Sequence, residues 1–128
     1  MFKGEKMRKI STKELLRRYA KGERNFKGVN LNGVNLSGAY LKGIDLSDAY
    51  LKGVNLSNAN LEGADLFRTY LEDANLEGAN LSKAYLADTN FKNANLQNAN
   101  FDSAVFYNTN LTGAKLKGAN LHKHKVKI

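Results

Sequence analysis

Residues 74 to 83 read Ala-Asn-Leu-Glu-Gly and then Ala-Asn-Leu-Ser-Lys, two copies of a five-residue unit with a large apolar residue at its centre. From Phe26 to Leu121 that centre is always Leu or Phe, and it recurs at every fifth position through twenty consecutive units. Neither an α-helix nor an alternating strand keeps a period of five. The period therefore indicates a chain that turns once in every unit.

The positions around each centre indicate a short strand followed by a turn. The residue two before the centre is small or β-branched in every unit except the first, where Arg24 stands. Residues two apart in an extended segment point to the same side, so both positions can face a core while the middle residue faces water. Nine of the eleven glycines occupy the second position after the centre, as a turn with positive φ requires. We expect an all-β solenoid that coils around its Leu and Phe side chains.

A step of twenty residues aligns the units best. It places Thr69, Thr89 and Thr109 in one column and Tyr50 under Tyr70. It also predicts that stacked charges alternate in sign. The stacked columns of charge are Asp48, Arg68 and Asp88; Lys52, Glu72 and Lys92; Lys42 and Glu62; and Asp102 and His122. Four units per coil give about five coils, and at about 4.8 Å per stacked strand the body is on the order of 24 Å tall.

The units at 64–68, 74–78 and 94–98 (Ala-Asp-Leu-Phe-Arg, Ala-Asn-Leu-Glu-Gly and Ala-Asn-Leu-Gln-Asn) resemble those of pentapeptide repeat proteins. The resemblance covers roughly residues 24 to 125 and implies a right-handed, four-sided β-helix. Residues 13–26 are similar to the capping helix and first coil of members abundant in cyanobacteria. We therefore expect a basic N-terminal segment with a capping helix over 1–23, the pentapeptide-repeat β-helix over 24–125, and a C-terminal tail at 126–128.

The N-terminal segment predicts a helix on its own signals. Ser11 and Glu14 have the spacing of a capping box, and Gly22 is placed to end the helix. We expect this helix to run from about Thr12 to Lys21. Ile10 and Leu15 have the spacing of a hydrophobic staple. The lid over the end formed by Phe26, Leu31, Leu36 and Leu41 would consist of Leu15, Leu16 and Tyr19.

Composition narrows the class of protein. The chain has 128 residues, a net charge of +8 and no Cys, Pro or Trp, so a disulfide framework is impossible. The charge is −4 over residues 29–114 but +7 over residues 1–28 and +5 over residues 115–128. The first ten residues contain no apolar run typical of a signal peptide or a membrane span. We expect a soluble cytoplasmic protein without membrane contact.

No catalytic residue, cofactor site or metal site is predicted. The core is narrow and packed, and both histidines, His122 and His124, lie in a Lys-rich tail, where we expect them to be solvated rather than metal-bound. Asp45 and Asp65 are predicted to stack as like charges on one face. That pair could mark a cation or a basic partner, or it could be an ordinary polar position of the repeat.

The aromatic residues on the outside are the strongest candidate for a binding surface. In the register of twenty, Phe67, Tyr85, Val105 and Tyr107 fall on one side and predict an exposed patch. Tyr50 and Tyr70 lie around the adjoining corner, and their stacking could equally be a tyrosine ladder that packs on the sheet.

Three functions remain open at this point. The first is a non-enzymatic protein-interaction module or rigid structural scaffold that acts through its flat faces, as the resemblance implies. The alternative is a nucleic-acid mimic that modulates a DNA-binding protein such as a topoisomerase, which the basic charge and short length disfavour. Direct nucleic-acid binding through the basic ends is the third, although basic tails are usually only solvated.

The C-terminal coil predicts an end-to-end contact. Residues 122–126 would extend the coil, because Val126 falls on the five-residue period. Open strand edges favour a weak end-to-end homodimer, which the C-terminal lysines would oppose. A monomer is the alternative.

Overall fold

A computed structural model describes residues 8–121 and shows the register of twenty directly. Parallel bridges join the middle residue of each unit to the middle residue twenty positions further on, as Tyr50 is joined to Tyr70. Each strand consists of one bridged residue, and the bridged columns define four faces. Face 1 contains residues 25, 45, 65, 85 and 105; face 2 contains 30, 50, 70, 90 and 110; face 3 contains 35, 55, 75, 95 and 115; face 4 contains 40, 60, 80 and 100.

Backbone hydrogen bonds tie each unit to the coils on either side. The centre N–H donates to the middle carbonyl of the next coil, as from Leu31 to Tyr50 at 2.7 Å. A turn N–H donates to a turn carbonyl of the next coil, from Gly33 to Lys52 O at 2.9 Å. The middle N–H donates to the preceding coil, as from Asn55 to Val34 O at 2.9 Å. The bond from Val34 N–H to Leu31 O, at 3.2 Å, closes the turn.

The remaining N–H of the unit is taken by a side chain. Where the middle residue is Asn or Asp, its Oδ1 accepts from the N–H two residues on, as Asn35 accepts from Ser37 and Asn75 from Glu77, both at 3.0 Å. This Asx turn satisfies a donor that would otherwise need water. The abundance of Asn at this position therefore has a structural cause beyond its exposure to solvent.

The second turn position has positive φ whether or not it is glycine. Gly63 has φ of 68°, and ten non-glycine residues have φ between 53° and 62°. Those ten are Asp48, Asn58, Arg68, Asp73, Lys83, Asp88, Asn93, Asn98, Ser103 and Asn108. Left-handed backbone costs a non-glycine residue roughly 1–2 kcal/mol. The stacking of the coils therefore fixes the turn even where the local preference opposes it.

The core is a continuous column of centre residues. Those from Phe26 to Phe101 are at most 2% exposed, whereas Phe106, Leu116 and Leu121 in the last coil are half-buried. In the threonine column Thr69 and Thr89 are buried in this core and Thr109 is half-buried, and each hydroxyl donates to a carbonyl 23 residues earlier. The predicted threonine column is confirmed, and its buried hydroxyls are satisfied.

Helix α1 spans Thr12–Ala20 and precedes the first coil. Ser11 caps it by accepting from Glu14 N–H at 3.0 Å. The helix ends one residue earlier than predicted, because Lys21 is the C-cap. Gly22, with φ of 101°, then donates to Tyr19 O at 2.9 Å in a Schellman-type ending.

The contacts of α1 cover edge groups of the first coil. Tyr19 Oη donates to Lys42 O at 2.6 Å, and Thr12 Oγ1 donates to Asn35 O at 3.1 Å. Leu15 and Tyr19 are buried, as predicted, but Leu16 is 37% exposed, so its assignment to the lid is wrong. Thr12, Leu15 and Tyr19 form the contact stripe at spacings of three and four residues, which leaves Leu16 to one side.

A charge pair links α1 to the chain that follows it. The Nε–H of Arg18 donates to Glu23 Oε1 at 3.0 Å, and a second guanidinium N–H of Arg18 donates to Glu23 Oε2. This hydrogen bonding holds the pKa of the Glu23 carboxyl below its ordinary value and raises the pKa of Arg18. No helix within residues 8–121 is long and apolar enough to cross a membrane.

Candidate functional site

The candidate site lies on face 1 and on the corner that follows it. The repeat supplies this surface with one middle residue and one turn residue per coil. We name four of them the aromatic patch: Phe67, Tyr85, Val105 and Tyr107. Tyr85 is bridged to Val105, so these two side chains are direct neighbours on face 1. Phe67 and Tyr107 occupy the adjoining turn column, forty residues apart, with Ala87 between them.

The aromatic patch is partly exposed. The rings of Phe67 and Tyr85 lie 6.1 Å apart between centroids and are tilted by 35°. Tyr85, Val105 and Tyr107 are 44%, 47% and 70% exposed. Phe67, predicted to belong to an exposed patch, is half-buried. Its ring covers part of the corner and packs on Tyr85, so it supports the patch rather than protruding from it.

Tyr50 and Tyr70 form a tyrosine pair on face 2. Their rings are stacked at 5.0 Å between centroids with an interplanar angle of 3°. Tyr50 is half-buried, and Tyr70 is 42% exposed. Offset aromatic contacts of this kind stabilise neighbouring strands. The geometry is that of the tyrosine ladder, and a role of this pair in binding stays a prediction.

Asp45 and Asp65 are bridged to each other on face 1, as the register predicts. Asp45 Oδ1 accepts from the Ser47 N–H at 2.9 Å and from the Ser47 hydroxyl at 2.7 Å. Asp65 Oδ1 accepts from the Phe67 N–H at 3.0 Å. Each carboxylate therefore has a structural role through one oxygen. Oδ2 of each has no hydrogen bond or ion pair with any residue from 8 to 121.

The predicted charge columns form only in part. Arg68 Nε lies 2.9 Å from Asp48 Oδ1, but Asp88 accepts from the Asn108 amide at 2.7 Å instead of pairing with Arg68. Lys42 lies 4.0 Å from Glu62, and Lys83 reaches the same carboxylate at 3.9 Å. Exposed pairs contribute at most about 1 kcal/mol, so stacking position alone does not determine which of them form.

Glu72 is a further correction. It forms no ion pair with Lys52 or Lys92 in the described part of the chain, and its Oε1 is buried without a hydrogen bond. The prediction that Glu72 pairs with the stacked lysines of its column is therefore wrong. The predicted pair of Asp102 and His122 is not tested, because His122 lies outside the described residues.

Residues 8–121 contain no group of three or more His, Cys, Asp or Glu side chains that could hold a metal ion. His122 and His124, together with the coil extension predicted for 122–126, lie outside the described residues. The basic N-terminal residues 1–7 and the tail at 126–128 also lie outside them.

Face 1 departs from the repeat pattern, and the sequence interpretation did not recognise that Asp45, Asp65, Tyr85 and Val105 share this one column. Face 3 carries Asn at positions 35, 55, 75 and 95, whereas face 1 reads Asn25, Asp45, Asp65, Tyr85, Val105. Tyr and Val cannot accept the Asx-turn bond, so the N–H groups of Ala87 and Tyr107 lose the acceptor that Asn supplies elsewhere. Face 2 is interrupted in the same way by Tyr50 and Tyr70, and face 4 by Tyr40, but only on face 1 do two acidic residues stand next to the apolar ones.

One family model matches most of the chain. The family model described as pentapeptide repeats matches in eight copies over residues 25–48, 44–82 and 84–122. No match to a curated protein was found. The similar solved structures include a pentapeptide repeat protein from the cyanobacterium Cyanothece 51142, which is 38% identical over 74% of this chain and 58% of that chain, with a TM-score of 0.47.

Two further solved structures are similar. A pentapeptide repeat protein from Nostoc PCC 7120 is 31% identical over 86% of this chain and 98% of that chain, with a TM-score of 0.46. One from the Arabidopsis thaliana thylakoid lumen is 28% identical over 77% of this chain and 68% of that chain, with a TM-score of 0.49. The chain thus spans 58% of the length of the Cyanothece protein. With its twenty-residue register and a family match over most of its length, the chain belongs to the pentapeptide repeat family, whose fold is a right-handed β-helical solenoid.

Proposed function

We propose that this chain is a protein-interaction module that binds a protein partner through the aromatic patch. In this proposal the body is a rigid rod of five coils, closed at its N-terminal end by α1, and it acts by binding rather than by catalysis. Pentapeptide repeat proteins are generally structural or interaction modules. The family supplies the class of function, and the aromatic patch supplies the surface.

The concentration of exposed apolar side chains at one corner carries the proposal. Six large hydrophobic residues are exposed within residues 8–121, and three of them, Tyr85, Val105 and Tyr107, adjoin one another. Of the others, Tyr40 packs edge to face on Tyr19 with centroids 6.4 Å apart, and Tyr70 stacks on Tyr50. An exposed cluster of adjoining apolar side chains is a feature of protein-interaction sites.

The cost of these residues to the fold also supports a role in binding. Asn at positions 85 and 105 would continue the Asx turns and leave a polar face. Tyr85 and Val105 give up those bonds and expose apolar surface in return, as Tyr40 and Tyr70 also do, although each of those two packs on a second tyrosine. A local departure from the pattern that a fold prefers is expected at functional positions.

Charge argues against the nucleic-acid mimic as the first choice. Mimicry of a duplex needs a strongly acidic surface, whereas the whole chain carries +8 and residues 29–114 carry only −4. A dimer through the C-terminal coil remains compatible with the proposal, because the aromatic patch lies on the side of the rod.

The test compares partner capture by two repeat-compatible variants. Tyr85→Asn with Val105→Asn removes the exposed apolar pair and supplies two Asx-turn acceptors, so the fold is expected to persist. Tyr40→Asn is the matched control, because it removes an exposed tyrosine from face 4. Each immobilised chain is incubated with extract of the source organism, and the bound proteins are quantified by mass spectrometry.

We expect at least one protein to bind to the immobilised wild type and to the Tyr40→Asn control but not to the double variant. Equal retention by all three chains, with circular dichroism showing that all are folded, would overturn it. A protein lost by the control but kept by the double variant would move the binding surface to face 4.

A further inference from the structure

Face 1 changes in character along the axis of the solenoid. Asp45 and Asp65 occupy it in two successive coils, and Tyr85 and Val105 occupy it in the next two. At about 4.8 Å per stacked strand, this column is about 14 Å long. An acidic half and an apolar half therefore lie end to end on one surface.

The fold does not need the negative charges in the acidic half. Each turn needs an Oδ1 acceptor, which an asparagine supplies without charge, as Asn55 does for Ser57 at 3.0 Å. Two carboxylates in directly bridged positions repel each other. The charges of Asp45 and Asp65 therefore add nothing that the Asx turns need.

Neighbouring cations within the described residues are engaged elsewhere. Arg68 on the adjoining corner is bonded to Asp48 at 2.9 Å. Lys42 and Lys83 on the other adjoining corner both contact Glu62, at 4.0 and 3.9 Å. The negative potential of the acidic half is therefore available to a partner.

We propose that the occupant of face 1 is a polypeptide segment that carries Lys or Arg toward one end and large apolar side chains toward the other. The basic end lies over Asp45 and Asp65, and the apolar end packs on Tyr85 and Val105. This inference rests on the proposed function and adds the chemistry of the partner. Charge complementarity fixes the direction of the segment along the rod, and the apolar contacts hold it there.

Three fluorescein-labelled synthetic peptides serve as probes for the full-length chain. The first has a Lys-rich half and a Leu-rich half, the second has Glu in place of every Lys, and the third has Ser in place of every Leu. Binding is measured by fluorescence anisotropy at about 0.02 and 0.2 M salt, because screening separates the charge contribution from the apolar one. We expect the first peptide to bind most tightly and its affinity to fall as salt is added.

Two charge-neutralising variants locate the binding. Asp45→Asn with Asp65→Asn keeps both Asx turns. This variant is expected to bind the first peptide about 2- to 30-fold more weakly at low salt, and its affinity is expected to depend less on salt. Asp73→Asn with Glu77→Gln removes the same charge from corners that do not adjoin face 1. This control is expected to bind as the wild type does.

The outcomes separate this inference from the proposed function. If neutralising Asp45 and Asp65 leaves binding of the first peptide unchanged, the inference is wrong. The proposed function still stands in that case, provided that Tyr85→Asn with Val105→Asn loses the native partner. An equal effect of the two neutralised variants would also overturn the inference, because the attraction would then belong to overall charge rather than to face 1.

Discussion

A change of Gly63 to Ala and a change of Gly78 to Ala are expected to differ in cost, although the two backbones are nearly identical. Their φ angles are 68° and 70°. Left-handed backbone costs Ala roughly 1–2 kcal/mol, and the reduced freedom of the unfolded chain returns roughly 0.4–1 kcal/mol. Gly63→Ala, whose added Cβ meets nothing within 4 Å, is therefore expected to destabilise by about 1 kcal/mol.

Gly78→Ala adds a clash with the preceding coil. Its Cβ would lie 2.3 Å from Asn58 Oδ1, so the Asn58 side chain has to rotate away. An unfavourable rotamer costs about 0.5–1.5 kcal/mol, which gives Gly78→Ala a total of about 2 kcal/mol. Replacement of Asn58 by Gly removes the clashing atom and tolerates the φ of 58° at that position. Gly78→Ala combined with Asn58→Gly should therefore cost no more than Gly63→Ala.

Urea unfolding followed by circular dichroism measures these costs, provided that the m-values of the variants agree. The double-mutant cycle isolates the contact between residues 58 and 78. Equal costs for Gly63→Ala and Gly78→Ala, or no coupling in the cycle, would show that the coils do not stack in the register described here.

Three further outcomes are expected. Thr89→Val should destabilise by about 1 kcal/mol in urea unfolding, because it removes the buried bond to Leu66 O at 2.6 Å; an unchanged midpoint would contradict this. Glu23→Gln should destabilise the chain at neutral pH but not well below pH 4.5. A carboxyl whose pKa is lowered on folding stabilises above its unfolded pKa and loses that effect as pH falls, so a pH-independent difference would refute the assignment. In sedimentation equilibrium, weak dimers that strengthen with salt would support the end-to-end contact, and a monomer at every salt concentration would exclude it.

The five-residue period was sufficient to predict a solenoid, and the columns of like residues, such as Thr69, Thr89 and Thr109, predicted its register of twenty. Leu and Phe at the centres must be buried, and a chain that turns every five residues can bury them only by coiling around them. The ends of α1 were predicted to within one residue because Ser11 and Gly22 act through local hydrogen bonds. The prediction that Leu16 belongs to the lid was wrong. Its exposure depends on the rotation of the helix about its axis against the first coil, which local signals do not determine.

The candidate site was predictable only in outline. The column that contains Phe67 and Tyr107 followed from the register, but the half-burial of Phe67 depends on the contact of its ring with Tyr85. The predicted ion pairs of Glu72 do not form, although its Oε1 is buried, because the register places the backbone and does not determine where the end of a long side chain lies. The Asx turns of Asp45 and its equivalents follow from general turn chemistry, yet the sequence interpretation attributed these residues to exposure alone.

Hydrogen–deuterium exchange of the full chain with and without its captured partner tests the central claim most directly. Binding through the aromatic patch predicts increased protection of amides near residues 65–68, 85–88 and 105–108, while those of face 3 near residues 55 and 75 are unchanged. Protection confined to face 3, or unchanged exchange along faces 1 and 2 at saturating partner, would contradict the claim that this corner of the solenoid is the binding surface.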